Sequence, residues 1–142
     1  MVAWGSEETG GSGVAYAAAH VADAARIVVA GESDLGAGRV YRLALPKSTG
    51  DDALRSQLAA TLGPLGIFVS AEPAADGGSD LAQLHAAGVP VLSYQQDAAA
   101  YFDIHHSADD TLDKIDRADL DQNVGAWAAL LYLVGESDVN FR

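Results

Sequence analysis

In residues 77–94, GGSDLAQLHAAGVPVLSY, a helix hands over to a strand within a few residues. Ser79 or Asp80 stands where an N-cap is needed, the helix runs through His85, and Gly88 ends it. VPVLSY, 89–94, then reads as a buried strand. The same alternation continues on either side. Upstream, GIFVSAE is a short strand, and before it a helix reaches about Leu62 from Thr49-Gly50-Asp51-Asp52, with Asp51 or Asp52 near its N-terminus. GRVYRLALP alternates as a strand stopped by Pro46, and RIVVAGESD gives another over Arg26–Ala30 with a polar tip at Glu32-Ser33-Asp34. An alanine-rich helix spans roughly Val14 to Ala25, and Val2-Ala3-Trp4 reads as the end of a strand. Downstream, YFDIHHSADDT is expected as a loop. Asp116 caps a last helix, Asp119 sits in its first turn, and Leu120, Val124, Trp127, Leu131 and Val134 form its apolar face. Alternating strands and helices imply an α/β fold with a largely parallel sheet, in which ligands bind beyond the carboxyl ends of the strands.

Bulk properties bound the function. The chain has 142 residues, 49% of them hydrophobic, enough for one domain with a real core. A net charge of -12 argues against nucleic acid or an anionic membrane as partner. Without cysteine there is no disulfide framework, thiolate metal site or cysteine nucleophile. No segment approaches the roughly 18 to 20 apolar residues of a membrane span, and no signal peptide is visible.

Three chemistries compete for the polar loops. The glycines of ETGGSGVAY follow a strand and lead into a helix, as in phosphate cradles. They lack a Lys-Ser/Thr ending and a full G-x-G-x-x-G, and two glutamates beside them repel phosphate. GESDL resembles a nucleophile elbow until Leu35 stands in place of the second glycine, and Ser33 lies between two acids. A divalent metal is served better: Glu7-Glu8, Glu32, Asp34 and His105-His106 supply carboxylate and imidazole ligands in loops that follow strands.

VAWGSEETGGSG, GESDLG, GGSDLAQLHAAGVPVLSY and YFDIHHSADDT, occurring in this order before an apolar helix, resemble the C-terminal part of the dinuclear zinc exopeptidases. This is the family of secreted zinc aminopeptidases, and the likeness is to its carboxypeptidase Q-like (plasma glutamate carboxypeptidase) branch. It covers residues 2 to about 135. It implies a three-layer α/β sandwich with a mostly parallel, mixed sheet, in which residues 1–142 are the C-terminal part of a zinc peptidase catalytic domain and the N-terminal part of the fold is missing.

By the same resemblance Glu7 is the general base, Glu8 and His106 hold one zinc ion, and Asp34 holds the other. His105, Asp110, Asp80 and Tyr101 are expected behind the ligands or against the substrate, with His105 packed or facing solvent and Asp110 ordering the loop near His106. The family's remaining ligands, a histidine in a His-x-Asp segment and an aspartate bridging both metals, lie upstream of the paired glutamates, where this sequence has only Met1–Ser6. His20 and His85 match neither. Three of five ligands are therefore expected here, and the isolated chain is expected to be inactive. The resemblance implies a peptide substrate, cut as by an aminopeptidase or dipeptidase, and a secreted or periplasmic location. The alternative is a non-catalytic α/β domain that associates with a partner chain. Lost neighbouring strands would favour homo-oligomers or pairing with the missing N-terminal segment.

Overall fold

The structure, a computed structural model, describes residues 1–47, 50 and 52–142, with the backbone but not the side chain of Glu7. It is a mixed α/β fold. Three strands, β1 (Val40–Ala44), β2 (Phe68–Val69) and β3 (Ser93–Gln96), pair in the order β2-β1-β3. β1 runs parallel to β2 and antiparallel to β3. Around them lie α1 (Gly11–His20), α2 (Asp52–Leu62), α3 (Ala82–Ala86), α4 (Tyr101–Ile104) and α5 (Arg117–Gly135). Among the described residues no helix is long and apolar enough to cross a membrane.

The main core forms because β1 alternates and α2 carries leucines at helical spacing. Leu43 of β1 and Leu54, Leu58 and Leu62 of α2 are buried together with Ile67, Leu92, Leu130 and Phe141. Tyr94 of β3 donates its hydroxyl to the Ala126 carbonyl at 2.9 Å, and burial pushes its phenol well above the ordinary range. A second cluster, Ala17, Ala24, Leu81, Leu84 and Val89, glues α1 to α3. Gly88, in the left-handed region, ends the α3 segment as its position in the sequence suggests.

Several expectations are corrected. Val2–Trp4 is not a strand. Arg26–Ala30 contributes a single parallel bridge, Ala30 to Val91. Strand-like residues become strand only where a neighbour pairs with them, and in this stretch Ala30 is the one residue paired. The alanine-rich helix starts earlier, at Gly11, and gives way at Val21 to a 3₁₀ segment reaching Arg26. Ser79–Leu81 is likewise a 3₁₀ turn without a side-chain cap, and part of the expected loop YFDIHHSADDT is the short helix α4. Asp51 and Thr49 lie outside the described residues.

Asp116 does cap α5, accepting from the Ala118 and Asp119 amides at 2.8 and 3.1 Å. The buried face of that helix is displaced from the expected one. Gln122, Asn123, Ala126 and Leu130 are buried, whereas Val124 and Leu131 are 60% and 64% exposed and Trp127 and Val134 are only half-buried. Two amides occupy the core side because backbone groups packed there need partners, Val40 and Leu65 for Gln122 and the Ala37 and Gly38 carbonyls for Asn123, which apolar periodicity does not register. The contrast is testable. Leu130→Ala should cost about 2–5 kcal/mol by cavity formation, whereas Leu131→Ala should stay within about 0.5 kcal/mol of wild type. Urea denaturation midpoints of the two variants would reverse in order if the apolar stripe faced the core.

Candidate metal centre

Glu7, Glu8 and Thr9 form a 3₁₀ turn directly ahead of α1. The turn is tied by the Thr9 and Gly11 amides, both donating to the Ser6 carbonyl. Glu8 thus stands at the entrance to a helix, on the surface. Its Oε1 lies 2.6 Å from His106 Nε2, a partner 98 residues further along the chain. Glu8 and His106 are 65% and 58% exposed. His106 adopts φ +59°, a left-handed backbone for a side chain that seldom takes it. Such conformations cost about 1–3 kcal/mol and persist where the surroundings enforce them.

The surroundings of His106 are rings. His105 stacks on Tyr101 at 4.7 Å and 30°, meets Phe102 edge-on at 5.4 Å, and tilts over His106 at 4.4 Å. His105 therefore packs, with Nδ1 buried and without a hydrogen-bond partner. Tyr101 also reaches the loop that carries Asp34: its Cδ2 sits 3.0 Å from where a Cβ on Gly36 would be, and Gly36 has φ +74°. A side chain there would be both strained and crowded. Asp34 is exposed on that loop, and Asp110 is exposed, its amide closing a turn on the Ser107 carbonyl at 3.3 Å.

Asp80 lies elsewhere, 5% exposed behind the first turn of α1. Its Oδ1 accepts from Ser12 Oγ at 3.3 Å, and its amide donates to Glu32 Oε2 at 3.1 Å. Glu32 and Asp80 thus join the GESD and GGSD segments to the helix that follows Glu8. A Cβ on Gly13 would fall 2.4 Å from both the carbonyl and Oδ1 of Asp80. Gly13→Ala must push the two segments apart, an overpacking cost of about 1–3 kcal/mol. Thermal denaturation should show it as a lowered midpoint, and an unchanged midpoint would mean that the contact is looser than described.

The structure therefore brings Glu8 and His106 together. Among the described residues no group of three or more His, Asp or Glu side chains is gathered as a metal site, and Asp34 does not complete one. The Glu7 side chain lies outside the described residues. A solvent-facing carboxylate and imidazole suit a divalent ion such as zinc, so the pair fits as part of a ligand set, short of the three protein ligands a catalytic zinc keeps. Three buried amides are not marked by the motifs: Gln96 and Asn123, which hold the loop after Asp34, and Gln122, which holds β1. Their signal was polarity at strand-end and helix positions that otherwise face the core.

Comparison with known proteins supplies first a class, that of peptidases, and then a family. Residues 1–131 match peptidase family M28. Carboxypeptidase Q of Rattus norvegicus is 30% identical over 142 residues, and that of Homo sapiens 29% over 140; each alignment covers 97% of this chain and 29% of the relative. The crystal structure of a peptidase M28 precursor from Shewanella amazonensis SB2B superposes with a TM-score of 0.80 at 37% identity, covering 92% of this chain and 29% of that one. The chain belongs to peptidase family M28. It spans under a third of the length of the relatives it matches.

Proposed function

We propose that residues 1–142 are the C-terminal part of the catalytic domain of a zinc-dependent exopeptidase of aminopeptidase or dipeptidase type, exported from the cytoplasm. The observation that carries this reading is the Glu8–His106 contact. Two residues 98 positions apart, matched to one metal by motif resemblance, stand within 2.6 Å of each other. Membership of family M28 supports a peptidase.

Glu8 and His106 would hold one ion and Asp34 would contribute to the second. A zinc ion held there would supply polarisation of the scissile carbonyl and a more acidic attacking water. The chain's own residues do the rest. Glu7 accepts a proton from that water and passes it to the leaving amine. His105, stacked on Tyr101, lies against the His106 ring, and this contact would orient the imidazole toward Glu8. Because only two donors are gathered among the described residues, the 142 residues alone bind zinc weakly and hydrolyse nothing. Turnover requires ligands from another segment, joined in cis or supplied as a second chain.

The test is zinc content together with hydrolysis of an aminoacyl chromogen and a dipeptide panel, first on the 142-residue chain and then with an upstream His-x-Asp segment added. The expected order is metal binding first, turnover second. Zinc-dependent turnover by the 142 residues alone, lost in Glu7→Gln, would contradict the need for outside ligands.

A further inference from the structure

In the loop between Asp34 and β1 the Arg39 carbonyl accepts from the Asp97 amide, which continues the β3 pairing, while the four carbonyls before it are held by side chains. Gln96 Nε2 donates to Leu35 and Gly36 at 3.0 and 2.7 Å. Asn123 Nδ2 donates to Ala37 and Gly38 at 3.2 and 2.8 Å. Both side chains are buried, at 8% and 6% exposure. A buried side-chain amide needs acceptors for its N–H groups, and these loop carbonyls provide them, so that side-chain amides take the place of strand amides here. Gln96 is also the last residue of β3, which leads into α4 and on to His106. Along this one segment Gln96 pins the turn that follows Asp34, Tyr101 presses on Gly36, and Tyr101 stacks on His105 beside His106.

We infer that Gln96 is a positioning residue: with Tyr101 as its second point of contact, it fixes the place of Asp34 relative to the Glu8–His106 pair. This rests on the reading of that pair as a metal-binding unit. The role is specific to an amide, because both contacts are donated to carbonyls. A carboxylate in its place would repel them, and an apolar side chain would leave them unpaired. Ligand groups must be held to within about 0.5 Å for a two-metal site to assemble, and residues 35–38, which lie before the backbone pairing at Arg39, take that restraint from side chains.

The experiment places Mn²⁺ on the nitrogen-labelled 142-residue chain and measures paramagnetic relaxation of the amide signals. The difference from His106→Ala isolates the ion at the Glu8–His106 pair. In wild type, Asp34 and the β1 residue Leu43 each give a defined relaxation value. In Gln96→Met, which keeps length and removes the donor, the value at Asp34 changes by about twofold or more as the loop leaves its 0.5 Å tolerance, and the value at Leu43 does not. Tyr101→Ala, at a half-buried surface ring, gives the same selective change and decides the matter if Gln96→Met does not fold. Tyr101→Phe, which keeps the ring, returns the wild-type value. Equal changes at Asp34 and Leu43 assign Gln96 to general stability and overturn the positioning role, as does an unaltered Asp34 in the variants that fold. If His106→Ala leaves the relaxation at Glu8 unchanged, the ion is not at the pair, and the metal-site reading itself fails.

Discussion

Glu7→Gln should lower turnover by about two to four orders of magnitude, the usual contribution of a positioned general base, when residues 1–142 are joined to a segment that supplies the remaining ligands. Bound zinc should be unchanged. The amide keeps the size of the carboxylate and loses its ability to take a proton, so only the chemical step suffers. The measurements are kcat on an aminoacyl chromogen and zinc per chain after exhaustive dialysis. Loss of zinc along with activity would make Glu7 a ligand and transfer the base role elsewhere.

His106→Ala should behave differently, losing zinc and turnover together. Residues merely behind metal ligands change affinity by about 10- to 100-fold when replaced; removal of a ligand itself should exceed the upper figure. His105→Ala is the matched comparison, since His105 is packed among Tyr101, Phe102 and His106. It should weaken zinc within that range. If His105→Ala were the more damaging of the two, the assignment of the ligand to the second histidine of the pair would be wrong.

Sequence made parts of this molecule legible because some signals are local. Asp116 is a cap by its own side chain and the two amides that follow it, and Leu54, Leu58 and Leu62 lie on one face of α2 wherever that helix packs. The pairing of Glu8 with His106 was legible only through ordered motifs, since nothing in either segment's composition points across 98 residues to the other. What stayed hidden was non-local. Val2–Trp4 and Arg26–Ala30 have strand-forming residues, but pairing depends on neighbours, and only Ala30 is bridged in this stretch. The buried face of α5 differs from the apolar stripe because apolar periodicity gives no weight to Gln122 and Asn123, which are buried. Gln122 brackets Val40 with both ends of its amide, at 2.9 and 2.7 Å, and Asn123 holds the Ala37 and Gly38 carbonyls. A polar residue at a core position is a request for a specific backbone partner, and periodicity cannot say which one.

Glu8 and His106 are proposed to bind one ion together. The most direct measurement is a zinc titration of the nitrogen-labelled chain followed at the imidazole nitrogens of its four histidines, His20, His85, His105 and His106. Nε2 of His106 should shift first, His20 and His85 should stay still, and Glu8→Gln should abolish the shift. Zinc that moved His20 or His85 instead, or moved His106 equally well without the Glu8 carboxylate, would contradict it.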